Sequence, residues 1–298
     1  LTLVLAPLWE QLSSGYTAGL FIGFPFTLGL SSALLFGYHE ERDYWETMGV
    51  AAMTTGLAAF AVFAAAVEGI ICIAMAAPIA FVLAAMGATV GYFIQRRGDK
   101  TLLPAAAVFV ALPFLTGAES ATAPREEALP VRTSVVVNAP PETVWPNVVS
   151  FSELPPPKHW VFRLGFAYPV RATIAGRGVG AVRRCEFTTG AFVEPITVWD
   201  EPHRLAFSVT EQPPPMKETS WYPDIRPRHL DGFLVSEGGE FLLEPMPGGR
   251  TRLTGTTWYR HAISPSWYWR PLSDGVIHRI HERVLAHVAA AAERGLVN

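Results

Sequence analysis

The chain has 298 residues, half of them hydrophobic, and its formal net charge is −3 at pH 7. Residues 119–298 carry 19 basic and 19 acidic side chains, so the sequence has none of the basic excess typical of nucleic-acid-binding proteins and no nucleic acid partner is predicted. The two cysteines, Cys72 and Cys185, lie in different predicted domains, and no disulfide between them is expected.

The first 118 residues are poor in charge and rich in long apolar runs. Residues 15–38 contain no charged side chain, and residues 48–95 contain only Glu68. A helix of about 20 apolar residues is enough to cross a hydrocarbon core of ~30 Å. The sequence therefore predicts a transmembrane domain over residues 1–118, with four spans at about 15–38, 48–67, 70–95 and 101–117.

The basic residues of this region predict its orientation. Three of the four, Arg96, Arg97 and Lys100, lie in the short loop after the third span, and short basic loops stay on the cytoplasmic side. This places the chain as a multi-pass protein of a bacterial cytoplasmic membrane. Everything after the fourth span is then expected on the periplasmic or extracellular side.

Glu68 has two possible interpretations. Within a span, a carboxylate is costly and indicates a proton or ion site. At the tip of the helical hairpin, beside Gly69, it would be solvated and have no special role. The predicted spans contain no Asp, Glu, Lys, Arg or His side chain to pair with it, which argues against a transporter or pump.

Residues 131–298 show the patterns of a mixed α+β domain, which follows a polar linker at 119–130. A strand at 132–138 leads into a short helix whose first turn contains Pro140 and Pro141, where a missing N–H is harmless. Six strands follow, joined by short turns, and they predict an antiparallel sheet. A long helix at about 265–294, capped by Ser264, ends the chain. The expected strands lie at 169–175, 180–188, 192–199, 204–210, 232–244 and 251–260.

Four stretches of this domain resemble the START-like, or SRPBCC, helix-grip superfamily. They are VVVNAPPETVWPNVVSF, GRGVGAVRRCEFTTG, FLLEPMPGGRTRLTGTTWYR and IHRIHERVLAHV. Bacterial members of that superfamily are often described as polyketide cyclase/dehydrase and lipid-transport proteins. The resemblance implies a curved antiparallel sheet around a long C-terminal helix, with a cavity for a hydrophobic ligand between them.

The last helix carries the main candidate site residues. Ile277, His281, Val284 and Val288 share the face that must meet the sheet, so His281 is either a hydrogen-bonded core histidine or a group that contacts ligand or acts in catalysis. Trp145 lies beside the inward face of the short helix, and Arg184 is a candidate anchor for a ligand head group. Strand alternation puts Arg184 and Arg183 on opposite faces without showing which is inward.

No metal site and no cofactor are predicted. His278 and His281 have the spacing of a ligand pair, but a zinc site normally needs at least three protein ligands. Four aromatic residues are candidates for contact with a membrane interface, where tryptophan and tyrosine are enriched; packing of loops over the cavity mouth is the alternative. These are Trp221, Tyr222, Trp267 and Trp269.

The sequence thus favours a membrane-anchored binding protein for a lipid or another hydrophobic small molecule, with the bilayer as its second partner. A cyclase or dehydratase acting on such a molecule is the alternative, with His281 as its candidate catalytic residue. It is less favoured because no second acid or base accompanies His281. A third possibility is an interaction module whose interior is filled by its own side chains.

Overall fold

The computed structural model describes residues 16–97, 127–223 and 225–295. The chain divides into two compact units. The helical unit comprises the chain up to Arg125 together with Glu218–His229 and Ile263–Tyr268, and the grip unit comprises the remainder. Two short segments of the predicted C-terminal domain therefore pack with the N-terminal helices, a long-range association that local sequence patterns do not reveal.

Three helices of the helical unit, among the described residues, are long and apolar enough to cross a membrane. They are α1 (Phe24–Phe36) together with the π-helical turn that precedes it (Gly19–Gly23), α2 (Tyr44–Ala64) and α3 (Ile70–Arg96). Asp43 caps α2 by accepting a hydrogen bond from the backbone N–H of Trp45. The structure thus supports three candidate spans rather than the predicted four, and the expected fourth, residues 101–117, lies outside the described residues.

Small residues allow α1 and α3 to pack closely. A Cβ added at Gly29 would overlap the carbonyl oxygen of Ala84, and one added at Gly87 would overlap that of Phe26. Close backbone approach at small residues is the usual means of helix association in a lipid environment. The two glycines therefore fix the spacing between these helices.

The grip unit contains a seven-stranded antiparallel sheet in the order β1-β7-β6-β5-β4-β3-β2 within the described residues. Two short helices, α4 (Pro141–Val149) and α5 (Trp160–Arg163), separate β1 from β2, and a long helix, α6 (Ser266–Glu293), ends the described chain. The strands are β1 (Leu129–Val137), β2 (Pro169–Ala175), β3 (Val182–Phe187), β4 (Gly190–Asp200), β5 (Arg204–Ser208), β6 (Leu234–Met246) and β7 (Arg250–His261).

These elements follow the predicted ones closely. The bounds of β2 are those expected, and α4 begins at Pro141 with Pro140 as its N-cap. One hydrophobic core joins the concave face of the sheet to α4 and α6. A curved antiparallel sheet with a long C-terminal helix is the START-like helix-grip fold, so the resemblance seen in the sequence is confirmed at the level of the fold.

Candidate ligand site in the grip unit

Strand β3 shows which of its two neighbouring arginines faces the interior. Arg183 and Cys185 are buried, whereas Arg184 is exposed on the opposite side of the strand. The structure therefore does not bring Arg184, the candidate anchor for a head group, to the concave face. Alternation along the strand is as predicted, but a strand with charged residues on both faces does not show which face is buried.

Arg183 is held at the interior by several groups. Its guanidinium forms a buried ion pair with Glu194 on β4, and its Nε donates to the carbonyl oxygen of Val149 at 3.1 Å. Burial is the largest single effect and lowers the pKa of Arg183, but the contributions of Glu194 and Cys185 together raise it more, so the net shift is upward. The arginine thus stays charged inside the domain because its counter-ion lies in the next strand.

Three phenylalanine rings surround this cation. The guanidinium carbon lies 5.4 Å from the ring centroid of Phe151, 5.5 Å from that of Phe207 and 5.7 Å from that of Phe241. Distances below about 6 Å are typical of cation–π interactions. The ion pair is therefore shielded from water by aromatic side chains as well as by the strands.

Several inward aromatic side chains of β3 to β6 are only partly buried, although they pack on the core. The rings of Phe207 and Phe241 lie 6.3 Å apart, and those of Phe187 and Phe192 lie 4.7 Å apart. Trp199 is likewise half-buried and meets the buried Trp145 of α4 edge to face at 5.5 Å. The concave face therefore presents an aromatic surface that the protein's own side chains leave partly uncovered. We refer to Phe187, Phe192, Trp199, Phe207 and Phe241 as the aromatic surface.

The side chain of His281 lies in the interior, as its position on the predicted helix face requires, and both ring nitrogens lie within hydrogen-bond distance of threonine hydroxyl groups. Nδ1 lies 3.1 Å from the hydroxyl oxygen of Thr133 on β1, and Nε2 lies 2.8 Å from that of Thr257 on β7. Burial, with a smaller effect from His278, lowers the pKa of His281 to about 4. The imidazole is therefore neutral at pH 7 and joins α6 to two strands, which is the arrangement of a hydrogen-bonded core histidine.

The apolar candidates on α6 are also buried. Ile277 packs with Val131 and Tyr259, while Val284 and Val288 belong to the main core together with Trp145 of α4. The predicted inward face of the helix is thus the face that meets the sheet. Contact of these residues with a ligand stays a prediction.

The four aromatic candidates for a membrane interface divide into two groups. In the helical unit, Trp221 and Trp267 are each 67% exposed and Tyr222 is 47% exposed. Trp221 contacts Phe60 and Phe63 at the end of α2. In the grip unit, Trp269 is 4% exposed, and its side chain is not available to a bilayer in this structure.

No family model and no curated protein matches the chain. Solved structures match over little more than half of it. The aromatase/cyclase Zhui from Streptomyces sp. R1128 has 19% identity and a TM-score of 0.37, covering 56% of this chain and 94% of that one. A norcoclaurine synthase point mutant from Thalictrum flavum has 14% identity and a TM-score of 0.34, covering 56% of this chain and 98% of that one. A Thermobifida fusca protein has 21% identity and a TM-score of 0.35, covering 55% of this chain and 93% of that one.

These identities and TM-scores carry no information about the ligand or reaction of this chain. Its class rests on topology: a helix-grip fold in one unit, and three long apolar helices among the residues that the structure describes.

Proposed function

We propose that this protein is a membrane-anchored binding protein for a hydrophobic small molecule such as a lipid, which it holds against the concave face of the grip unit. The observation that carries the proposal is the aromatic surface, because inward aromatic rings that remain partly exposed offer apolar area to a ligand. Removing such area from water contributes about 25 cal/mol per Å². Sites of this kind are lined mainly by apolar and aromatic side chains with a few polar groups.

Membrane anchoring supports the same function. Three helices of the described chain have the length and composition of membrane spans. A poorly soluble ligand partitions into the bilayer, and tethering raises the effective concentration of the binding domain beside it. Trp221, Tyr222 and Trp267 are exposed in the helical unit, and such side chains favour the membrane–water interface.

The state of His281 favours binding over catalysis. General acid–base catalysis needs a group within hydrogen-bond reach of the proton it moves. Both nitrogens of His281 already contact threonine hydroxyls, and its pKa is lowered by burial to about 4. The residue is therefore better suited to holding α6 on the sheet than to exchanging protons with a substrate near pH 7.

Native mass spectrometry of the full-length chain, purified from bacterial membranes in detergent, tests the proposal. The wild-type chain is expected to retain an apolar adduct that the double variant Phe207→Ala/Phe241→Ala loses. Arg184→Ala is the control, because it changes an exposed residue on the other face of β3 and should keep the adduct. Lipids bound only to the apolar helices would appear equally in all three proteins.

Two results would overturn the proposal. One is an identical set of adducts in all three proteins, which would place the bound molecules outside the grip interior. The other is an adduct-free mass for a well-folded wild-type chain. Thermal unfolding of each variant shows whether loss of the adduct reflects loss of the fold.

A further inference from the structure

The helical unit contains a cluster of buried polar side chains that are not part of the proposed ligand site. Glu68 lies in the turn between α2 and α3, Cys72 lies in the first turn of α3, and His229 lies at the end of the segment 218–229. One potential metal-ligand atom from each of these residues lies within 4.8 Å of the other two. All three side chains are buried, with exposures of 7%, 6% and 6% for Glu68, Cys72 and His229.

The atoms that face one another here are not hydrogen-bonded. Nδ1 of His229 lies 3.0 Å from Oε2 of Glu68, yet neither atom makes a hydrogen bond of acceptable geometry to any described residue. Buried polar atoms nearly always have partners. Two potential ligand atoms that lie this close without a hydrogen bond between them are an arrangement expected when both are directed at a common cation.

The remaining polar atoms have polar neighbours in the same unit, although Nε2 of His229 makes no hydrogen bond to any described residue. The hydroxyl group of Tyr16 donates to Oε1 of Glu68, which leaves Oε2 as the available ligand atom. Nε2 of His229 lies 3.6 Å from Oε1 of Glu218. A carboxylate behind the second ring nitrogen is the usual outer partner of a metal-bound histidine.

Glu218 is itself fixed by the start of α3. Its carboxylate accepts hydrogen bonds from the backbone N–H groups of Ile71 at 3.2 Å and Cys72 at 3.1 Å. A Cβ on Gly69 would overlap this carboxylate, so glycine is required there for the approach. The Glu218 carboxylate is therefore held in place by backbone contacts that do not depend on a metal.

The charges and donor types indicate which ion would fit. A Glu68 carboxylate and a Cys72 thiolate together carry two negative charges, which a divalent cation would neutralise in this buried place. Magnesium and calcium prefer oxygen ligands, whereas a mixed nitrogen, oxygen and sulfur set suits zinc. Zinc bonds of about 2.0–2.3 Å would require the three ligand atoms to lie about 3.3–3.6 Å apart. Nδ1 of His229 and Oε2 of Glu68 are 3.0 Å apart, and all three ligand atoms lie within 4.8 Å of one another, so shifts of about 1 Å would bring them to those distances.

We propose that Glu68, Cys72 and His229 form a zinc-binding site, with Glu218 and Tyr16 as positioning residues. Three protein ligands leave a fourth position for water, as in many zinc centres. The ion would join the segment 218–229 to the hairpin of α2 and α3. This site is independent of the ligand-binding function proposed for the grip unit.

Metal analysis and cobalt spectroscopy of the full-length chain in detergent test this site. After chelator treatment and removal of the chelator, the chain is expected to take up Zn²⁺ in stoichiometric amount. Co²⁺ in its place should give a thiolate-to-metal charge-transfer band, because Cys72 would be a direct ligand. Both measurements use only the wild-type chain, so they do not depend on whether any variant folds.

Substitutions then assign the site. Cys72→Ser should abolish the charge-transfer band, while Cys185→Ser, which changes the other buried cysteine, should leave it unchanged. His229→Gln and Glu68→Gln should each lose stoichiometric Zn²⁺ binding. Glu218→Gln should bind Zn²⁺ about 10–100-fold more weakly, as expected for an outer-shell partner.

The proposal is wrong if the folded wild-type chain binds neither Zn²⁺ nor Co²⁺ stoichiometrically. In that case the cluster is a metal-free polar network in which His229 lies between Glu68 and Glu218. It is also wrong if Cys72→Ser retains the charge-transfer band. Both outcomes leave the mass-spectrometric test of the grip unit unaffected.

Discussion

Arg183 on β3 and Glu194 on β4 are directly opposite each other in the antiparallel register and form an ion pair inside the grip unit. Both side chains are almost fully buried. Each charge has given up its hydration, so each depends on the other, and Arg183 also donates to the carbonyl oxygen of Val149. The pair therefore restricts what can be changed on the concave face.

Removing one member of this pair is expected to destabilise the grip unit strongly. Arg183→Ala should lower the free energy of unfolding of the grip unit by about 3–5 kcal/mol, because the buried Glu194 carboxylate loses its counter-ion. Thermal or denaturant unfolding of the full-length chain in detergent measures this. Arg184→Ala, on the exposed face of the same strand, should change stability by less than about 0.5 kcal/mol.

Replacing both members should lower the free energy of unfolding less than replacing one. In Arg183→Met/Glu194→Leu no buried charge remains unpaired, and such exchanges are often neutral or stabilising. If the double variant proved less stable than Arg183→Ala, the ion pair would have a specific structural role that apolar packing cannot supply.

The stability of the grip unit should depend on pH through His281. Burial lowers its pKa in the folded chain from 6.5 to about 4. As the pH falls below 6.5, the unfolded chain binds a proton that the folded chain does not, so folding becomes less favourable. The loss grows until about pH 4 and reaches about 3 kcal/mol at most.

His281→Asn removes this titration. The variant is expected to be less stable than the wild type at pH 7, because contacts to Thr133 and Thr257 are weakened, but to lose less stability between pH 7 and pH 4. Calorimetric unfolding across this range measures both effects. His203→Asn, which changes an exposed histidine, should keep the wild-type dependence; equal slopes for the wild type and His281→Asn would contradict the assignment.

The close contacts of glycine between α1 and α3 predict that a larger side chain at Gly87 lowers stability more than one at Gly56 of α2. Gly87→Val would place a branched side chain against the carbonyl oxygen of Phe26, and overpacking of this kind typically costs about 1–3 kcal/mol. Gly56→Val is the matched control, because an added Cβ at Gly56 of α2 meets no atom within 4 Å. Thermal unfolding in detergent should separate the two variants, and equal losses would mean that helix propensity alone is responsible.

Much of the grip unit could be predicted from the sequence because its signals are local. Alternating apolar residues indicated the strands, the proline pair indicated the start of α4, and spacing along α6 indicated that Ile277, His281, Val284 and Val288 face inward. The orientation of β3 was not predictable, since VRRCEF has charged residues on both faces. Only the position of Glu194 in the neighbouring strand shows why Arg183 is the buried one.

The polar cluster of the helical unit was predictable only in part. Glu68 and Cys72 are four residues apart, a spacing that can bring two side chains together at the start of a helix. Their partners, Glu218 and His229, lie about 150 residues further along the chain, in a segment without regular alternation. The sequence alone leaves open whether Glu68 lies within a span or is solvated at a hairpin tip; the structure places it in the turn between α2 and α3 and buries it beside His229.

The exposed tryptophans of the helical unit provide the last prediction. If Trp221 and Trp267 lie at the membrane interface, lipids brominated near the head group should quench the tryptophan fluorescence of the full-length chain in liposomes. Trp221→Phe/Trp267→Phe should lose much of this quenching, because both side chains are 67% exposed. Trp145→Phe is the control, since Trp145 is buried in the core of the grip unit. Quenching that is unchanged in the double variant would assign these residues to loop packing and leave anchoring to the apolar helices alone.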